Sequence, residues 1–508
     1  MQIAYMFIDW GAGWTPLNDH TRDVAALDSL SIRWGTDDIT EQPEPSVMNF
    51  TLHDRTGWLT GRALTLAGAQ IVLQVSGQPT WGMLRTDQGT WAQQTGTLGR
   101  LHQTYTPPVP DSPQSTAVTL FHGIVSTGGE ATPHRAGGWK LALSASSRMI
   151  LWKRMQSDGP TSSDARYTGL HWVGTGGERL AELNKRAQTA SAPTADPAGL
   201  TPVAAPAPYA DDNPSQLDLL HRLFAHLSDW PIWYEYPDRD TSRISCMTFG
   251  SPVIVGITDT GRLTVAGDTG ETLDGLDAAD IITDDGNTLS IPEPYTQITL
   301  HGKRAKANNG ALQFDPADTT LSDRNLLPAN LTATQKSITI DTDAVTSDES
   351  GGVWSRGGGA IWQPDDTDRT QIATLLETID RRLRPETAIF DGRKLDPAVH
   401  PRLYITASSG PLVIQGMLSS NLAGDDGKPA TGGPWASIGG TLTYQSSNNQ
   451  PLLRNEVTLW PLPTVAATAT TWASMGAWPA TWRQCALTLA ELSLITRYQQ
   501  PTTITEEP

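Results

Sequence analysis

Apolar and polar residues alternate with a period of two over much of the first third of the chain. Trp139–Ala145 puts Trp139, Leu141, Leu143 and Ala145 on one face, the pattern of a half-buried strand. Ile71–Val75 is a short run of β-formers closed by Ser76 and Gly77, and Val118–Val125 is a second such run. Glycine inside a strand marks a bulge or the close approach of another backbone, which predicts one or the other at Gly123. Gly/Pro/Ser-rich connections such as Pro107–Pro113 separate the runs, and residues 1–160 read as one all-β domain.

The period then changes. The stretch Thr189–Pro208 is rich in Ala, Pro and Thr, so residues 189–213 read as a surface loop or extended linker. After Pro214-Ser215-Gln216, Leu217, Leu220, Leu223, Phe224 and Leu227 recur at helical spacing. Trp230–Tyr236 and Arg243–Phe249 flank the turn Pro237–Asp240 and predict a hairpin. Helix followed by hairpin makes residues 161–290 an α+β insertion.

Strand alternation returns over residues 291–463, in Thr296–His301, Lys336–Asp341, Arg402–Ala407, Leu412–Ser419, Thr441–Tyr444 and Asn455–Trp460. A helix is predicted inside this second β domain over 369–384, with Ile372, Leu375, Leu376, Ile379 and Leu383 on one face and Pro385 ending it. Phe121–Ser126 and Ile414–Ser419 share the order apolar, polar, Gly, apolar, apolar, Ser, which predicts duplicated architecture. Residues 464–508 are polar and punctuated by tryptophan. Such a tail cannot fold alone, so Trp472, Trp478 and Trp482 are candidate anchors on a neighbouring molecule. The fold class is mainly β with an α+β insertion.

Composition narrows the function. A chain of 508 residues holds about three domains at roughly 150 residues each. With 54 acids against 36 bases, the net charge is -18, and the cationic surplus needed to neutralise phosphates is missing. Sequence-wide nucleic-acid binding is therefore not expected. No apolar run reaches the roughly 18 to 20 residues of a membrane-spanning helix. Asp9 and the absence of a basic flank argue against a secretory leader, so synthesis and folding in a cytoplasm are expected. The two cysteines, Cys246 and Cys485, read as buried thiols, because a disulfide framework in so long a chain would use many more.

The search for chemistry is negative. No GxxxxGK[ST] loop, GxSxG elbow or HExxH helix is present. Gly174–Gly177 lacks the flanking strand of a dinucleotide fingerprint and reads as a loop. His221 and His226 lie about 140° apart on a helix, unlike an i, i+4 zinc pair, and read as helix-surface histidines. Asp341, Asp343 and Asp348 superficially resemble a calcium loop, but Thr346 and Gly352 occupy the positions of its obligatory Gly and Glu. A solvated acidic loop is expected there. Asp365, Asp366 and Asp368 fit the N-terminus of the helix that follows. No catalytic, cofactor-binding or metal-binding residue is nominated, no cofactor is expected, and the chain is not expected to be an enzyme.

One segment adds a positive signal. Ser31–Asp54, with Trp34-Gly35, Gln42-Pro43 followed by Pro45, and the strand Phe50–Asp54, resembles the opening of minor tail proteins from phages of actinobacteria. Thr36 stands where Arg is commoner. Phe121–Val125 and Trp139–Arg148 are similar to paired strands of the first barrel of siphophage tail-tip hub proteins. The helix at 217–227 with its hairpin is similar to the inserted subdomain of that family, and Thr296–Leu300 with the strands of 412–460 would form a second barrel. The resemblance implies two β-barrel domains in a homotrimeric baseplate hub that closes the distal tail tube. It also implies distal tail, tail-tube, tape-measure and receptor-binding proteins as partners, in a virion assembled in the host cytoplasm. Two alternatives stand beside it: a hexameric distal tail protein or receptor-binding adaptor, and, from another class, a carbohydrate-binding module or carbohydrate-active enzyme. The second is motivated by the acidity and the 18 tryptophans.

Overall fold

A computed structural model describes residues 3–17, 25–38, 41–76, 109–115, 117–126, 129–156, 176–197, 214–225, 232–247, 253–257, 262–266, 272–277, 289–290, 295–308, 311–322, 336–347, 384–385, 387–392, 395, 403–404, 412–416, 432–447 and 450–461. All but the last residue of the helix expected over 369–384, the acidic stretch before it, Asp348, His226, Cys485 and the three tail tryptophans lie outside these residues.

The first segment contains β1 (Ile3–Asp9), β2 (Thr15–Leu17), β3 (Ala26–Gly35), β4 (Val47–Asp54), the short α1 (Ala63–Leu66), β5 (Gln70–Ser76), β6 (Val118–Val125), β7 (Glu130–Pro133), β8 (Trp139–Ser147) and α2 (Ile150–Arg154). The alternation read in Trp139–Ala145 is realised from Leu141 onward, with Leu141, Leu143 and Ala145 buried and Ala142 exposed. Trp139, expected on the same face, is exposed because it sits at the strand end beyond the core. Gly123 on β6 is a close approach rather than a bulge, because a Cβ there would collide with the Ser146 carbonyl of β8. The ladder irregularity of β6 against β5 falls earlier, between Leu73 and Gln74 of β5.

The insertion contains α3 (Gly176–Thr189), β9 (Thr194–Asp196), α4 (Gln216–Phe224), β10 (Ile232–Pro237) and β11 (Ser242–Met247). The expected hairpin is β10 with β11, and β9 adds to it in parallel. Helix α4 starts where a capping box starts it: Ser215 Oγ accepts from the Asp218 N–H at 3.1 Å, and the Asp218 carboxylate accepts from the Ser215 N–H at 3.0 Å. Leu217, Leu219, Leu220 and Leu223 join Met149, Trp152, Leu180, Leu183, Trp233 and the buried Cys246 in a second core.

Gly176 and Gly177 open α3 instead of continuing a loop, and the Ala/Pro/Thr-rich stretch contains β9, with Ala192 and Ala195 buried. The physical reason is tertiary. Asn184 of α3 accepts from the Ala195 N–H at 2.7 Å and donates to its carbonyl at 2.8 Å, while β11 supplies the ladder on the other side.

The last segment contains β12 (Val253–Ile257), β13 (Arg262–Ala266), β14 (Thr272–Asp277), β15 (Leu289–Ser290), β16 (Tyr295–Asn308), β17 (Ala311–Ser322), β18 (Lys336–Ser347), β19 (Arg384–Pro385), β20 (Thr387–Asp391), β21 (Leu412–Gly416), β22 (Gly432–Ser447) and β23 (Gln450–Pro461). Arg384, expected as the last helical residue, pairs instead in β19 with β15. Asp341 is exposed, as a solvated acid should be, yet it sits in β18 rather than in a loop, because β16 pairs with that strand as far as Ser347. Leu403 and Tyr404 form a buried turn, not part of a strand.

The large sheet runs β14-β13-β12-β21-β22-β3-β4-β8-β6-β5-β1-β2, with β7 on β8 and β23 joining β22 to β20. It is antiparallel except for β12 with β21. Its central join is between distant segments: β3 pairs with β22 from Gly35↔Gly439 to Ser29↔Gln445. The fold is thus mainly β, but among the described residues no barrel closes. The strands of the first and last segments share one open sheet whose path ends at β14 and β2. One hydrophobic core accordingly spans Met6 to Trp460 and takes in Ile232, Tyr234 and Tyr236 of the insertion.

Candidate functional site

The segment that bears the resemblance is also where the three parts of the chain meet. Gly35 has φ +71, and a Cβ there would meet the Ile438 carbonyl and lie 2.5 Å from Gly439 Cα. Only a residue without a side chain lets the two backbones pass so closely. Next to it, the Thr36 N–H donates to the Ile438 carbonyl at 3.1 Å. The Trp34 indole donates to Asn455 Oδ1 at 3.3 Å, and Asn455 Nδ2 donates to the carbonyls of Leu403 and Tyr404, both at 2.9 Å. Further along, Gln42 Oε1 accepts from the Trp233 N–H of β10 at 3.1 Å, and the Ser46 carbonyl accepts from the Ser147 N–H at 2.8 Å. Tyr234 closes the circuit by donating its hydroxyl to the Ile438 carbonyl at 2.7 Å.

Inside this junction lies a polar cluster. Glu235 of β10 accepts from the Met149 N–H at 2.9 Å and from the Ser242 hydroxyl. Withdrawal from water pushes its carboxyl above the ordinary carboxylate range, opposed by these hydrogen bonds and by the Arg148 charge. His122 is buried, with Nδ1 2.9 Å from the Asp238 carbonyl oxygen and Nε2 3.4 Å from Gln70 Oε1. Burial lowers its pKa from 6.5 to about 4, so the imidazole is neutral and donates through Nδ1 to the hairpin turn.

Between these groups is a cavity of about 30 Å³, lined by Ile32, Trp34, His122, Tyr234 and Glu235 among others. That is room for a water or two, far below the volume of a substrate pocket. The groups are taken up in holding the insertion hairpin to β6 and α2. A larger concavity of about 690 Å³ lies open on the sheet across β22, β3, β4 and β8, lined mainly by polar residues such as Ser31, Asn49, Thr51 and Thr443.

One of the two histidines expected on the helix surface proves different from expectation. His221 is half-buried on α4, and its Nε2 is sealed from solvent with no hydrogen-bond partner among the described residues. Burial lowers its pKa to about 4. The reason is that α4 packs against both α2 and α3, which leaves little of its circumference open. Among the described residues no group of three or more His, Cys, Asp or Glu is placed to hold a metal ion, and no helix is long and apolar enough to cross a membrane.

Two exposed tryptophans lie outside the tail, at one end of the sheet: Trp58, for which the sequence offered only the tryptophan count, and Trp139, which strand alternation placed on the buried face.

No family model matches the sequence. No curated protein matches it. Among solved structures, the chain is similar to the tail protein from Neisseria meningitidis MC58, with a TM-score of 0.43 and 9% identity over 90% of this chain and 96% of that one. It is similar to the E. coli c3393 protein, with a TM-score of 0.37 and 8% identity over 85% of this chain and 73% of that one. That protein is described as a component of the type VI secretion system with structural similarity to the T4 bacteriophage tail proteins gp27 and gp5. A lidless PdpA–VgrG complex is also similar, with a TM-score of 0.35 and 10% identity over 91% of this chain and 65% of that one.

Proposed function

We propose that this chain is a structural component of a phage tail tip, acting as the hub that closes the distal tail tube and organises its neighbours. One observation carries the reading. The Trp34–Asp54 segment, which resembles the opening of phage minor tail proteins, uses its characteristic residues Trp34, Gly35 and Gln42 to join the first segment, the insertion and the last β segment. Those residues hold a scaffold together, and none of them faces a substrate-sized pocket. In this reading the chain is a non-enzymatic homotrimer, seated in the virion against distal tail, tail-tube and tape-measure proteins.

Copy number in assembled particles tests the proposal. Cryo-electron microscopy of tails should find the chain at the distal tip in three copies. Six copies would make it a ring protein or adaptor instead, and a stable monomer that never joins tail-tube protein would remove it from the tail altogether.

A further inference from the structure

One end of the large sheet carries a surface whose charge runs against that of the whole chain. The turn after β4 and the turn between β7 and β8 meet there. Gly57, at φ +73, lies under the Trp139 ring, and a Cβ on it would stand 3.3 Å from Trp139 Cδ1. Gly138, at φ +77, lets the second turn press on Arg55, whose Cα a Cβ would approach to 2.6 Å. His53 Nε2 donates to the Gly137 carbonyl at 2.9 Å, and its ring lies 4.3 Å from that of His134. The two turns are therefore locked into one surface.

That surface offers rings and positive charge together. Trp58 and Trp139 are 37% and 39% exposed, the two exposed tryptophans among the described residues. Trp10 leans on Trp58 at 5.8 Å, and the Arg62 guanidinium lies 4.4 Å over the Trp58 ring. Arg55, Arg62 and Arg135 are all exposed, and among the described residues none of them pairs with a carboxylate. Three acids beside this surface among the described residues are engaged. Asp54 is buried and accepts from the Thr60 N–H at 2.7 Å, Asp9 accepts from the Gly11 and Gly13 N–H groups at 2.7 and 3.0 Å, and Asp28 pairs with Lys140 at 3.1 Å. On a chain with a net charge of -18, this aromatic surface sets three guanidinium groups against the carboxylates of Asp9 and Asp54, a local surplus of positive charge.

We propose that this surface binds an acidic oligosaccharide. The apolar C–H face of a pyranose stacks on an exposed indole, and a guanidinium takes a carboxylate through two parallel hydrogen bonds. A nucleic acid fits less well. Phosphate-driven binding rests on about 6 to 10 contacts, whereas three cations are present here and the rest of the chain repels a long polyanion. The proposal does not depend on the tail-tip reading.

Calorimetric titration of the full chain with tetragalacturonate tests it, with the neutral methyl ester, an oligothymidylate and hexaglutamate as comparison ligands. Tetragalacturonate should bind, more weakly as salt rises, and each comparison ligand should bind at least about tenfold less tightly. Trp139→Ala and the double variant Arg55→Ala/Arg135→Ala should each weaken binding by about tenfold or more. The double variant removes only exposed guanidinium groups, so it remains a fair test even if Trp139→Ala unfolds the turn. No heat at millimolar tetragalacturonate, or an affinity untouched by the double variant, would overturn the proposal. Equal affinity for oligothymidylate or hexaglutamate would overturn it in favour of a nucleic-acid or acidic-peptide surface.

Discussion

Gly35 and His122 set how tolerant the junction is of change. Gly35 combines a left-handed backbone at φ +71 with direct contact of its Cα side on Gly439. Gly35→Ala meets both obstacles, strain and collision, and should destabilise the protein by about 3 kcal/mol. A lowered denaturation midpoint with an unchanged slope would register this, and an unchanged midpoint would mean that the backbone shifts freely. His122 sets a pH response. Its folded pKa of about 4 lies below its ordinary 6.5, so below pH 6.5 the unfolded chain takes the proton first. The stability it contributes is complete above about pH 6.5 and is lost as pH falls towards 4, a swing of about 3 kcal/mol. His221 acts in the same direction. Glu235 acts in the opposite one: its raised carboxyl holds a proton in the fold at pH values where the unfolded chain has lost it, so its penalty grows as pH rises. The unfolding temperature should therefore fall between pH 6.5 and 4.5, and His122→Gln should flatten part of that fall. A variant with the same slope as the wild-type protein would assign the acid sensitivity elsewhere.

At the scale of elements, what could be read from the sequence depended on how local the cause was. Strands such as Val118–Val125, a run of β-formers, and Trp139–Ser147, with its alternation, declare themselves because their signals are written in adjacent residues. Helix α4 was equally legible, since Leu217, Leu220 and Leu223 recur at helical spacing and all three are buried. Helix α3 was not. It opens on Gly176-Gly177, which lowers helix propensity, and its buried side rests on Leu180, Leu183 and Ala187 among charged neighbours. Strand β9 has three residues and owes its existence to Asn184 on one side and β11 on the other. Asn184→Ala removes both side-chain bonds to Ala195 and should cost about 2 kcal/mol. Amide exchange at Ala195 and along β11 should quicken, and unaltered protection there would show that the β-ladder alone holds the strand.

At the scale of the whole molecule, the least legible feature is the one that joins it. Composition divides the chain into an N-terminal β part, an insertion and a C-terminal β part, yet β3 and β22 are hydrogen-bonded neighbours in one sheet. Partners such as Trp34 and Asn455, or Gln42 and Trp233, leave no trace in local periodicity, because neither member is conspicuous until the other is beside it. The motif around Trp34 could be recognised as a pattern, but its work could not be inferred from it. That work predicts coupled unfolding. Asn455 accepts from Trp34 and donates to the carbonyls of Leu403 and Tyr404, so Asn455→Ala strands one buried donor and two carbonyls at once. A loss of about 3 kcal/mol follows from leaving such groups unsatisfied. Because one core runs from Met6 to Trp460, the loss should appear as a single transition moved to lower denaturant, coincident by tryptophan fluorescence and by far-ultraviolet dichroism. Two separated transitions in the variant, with the N-terminal strands melting apart from β22 and β23, would mean that the shared sheet is a docking of independent domains and not one cooperative unit.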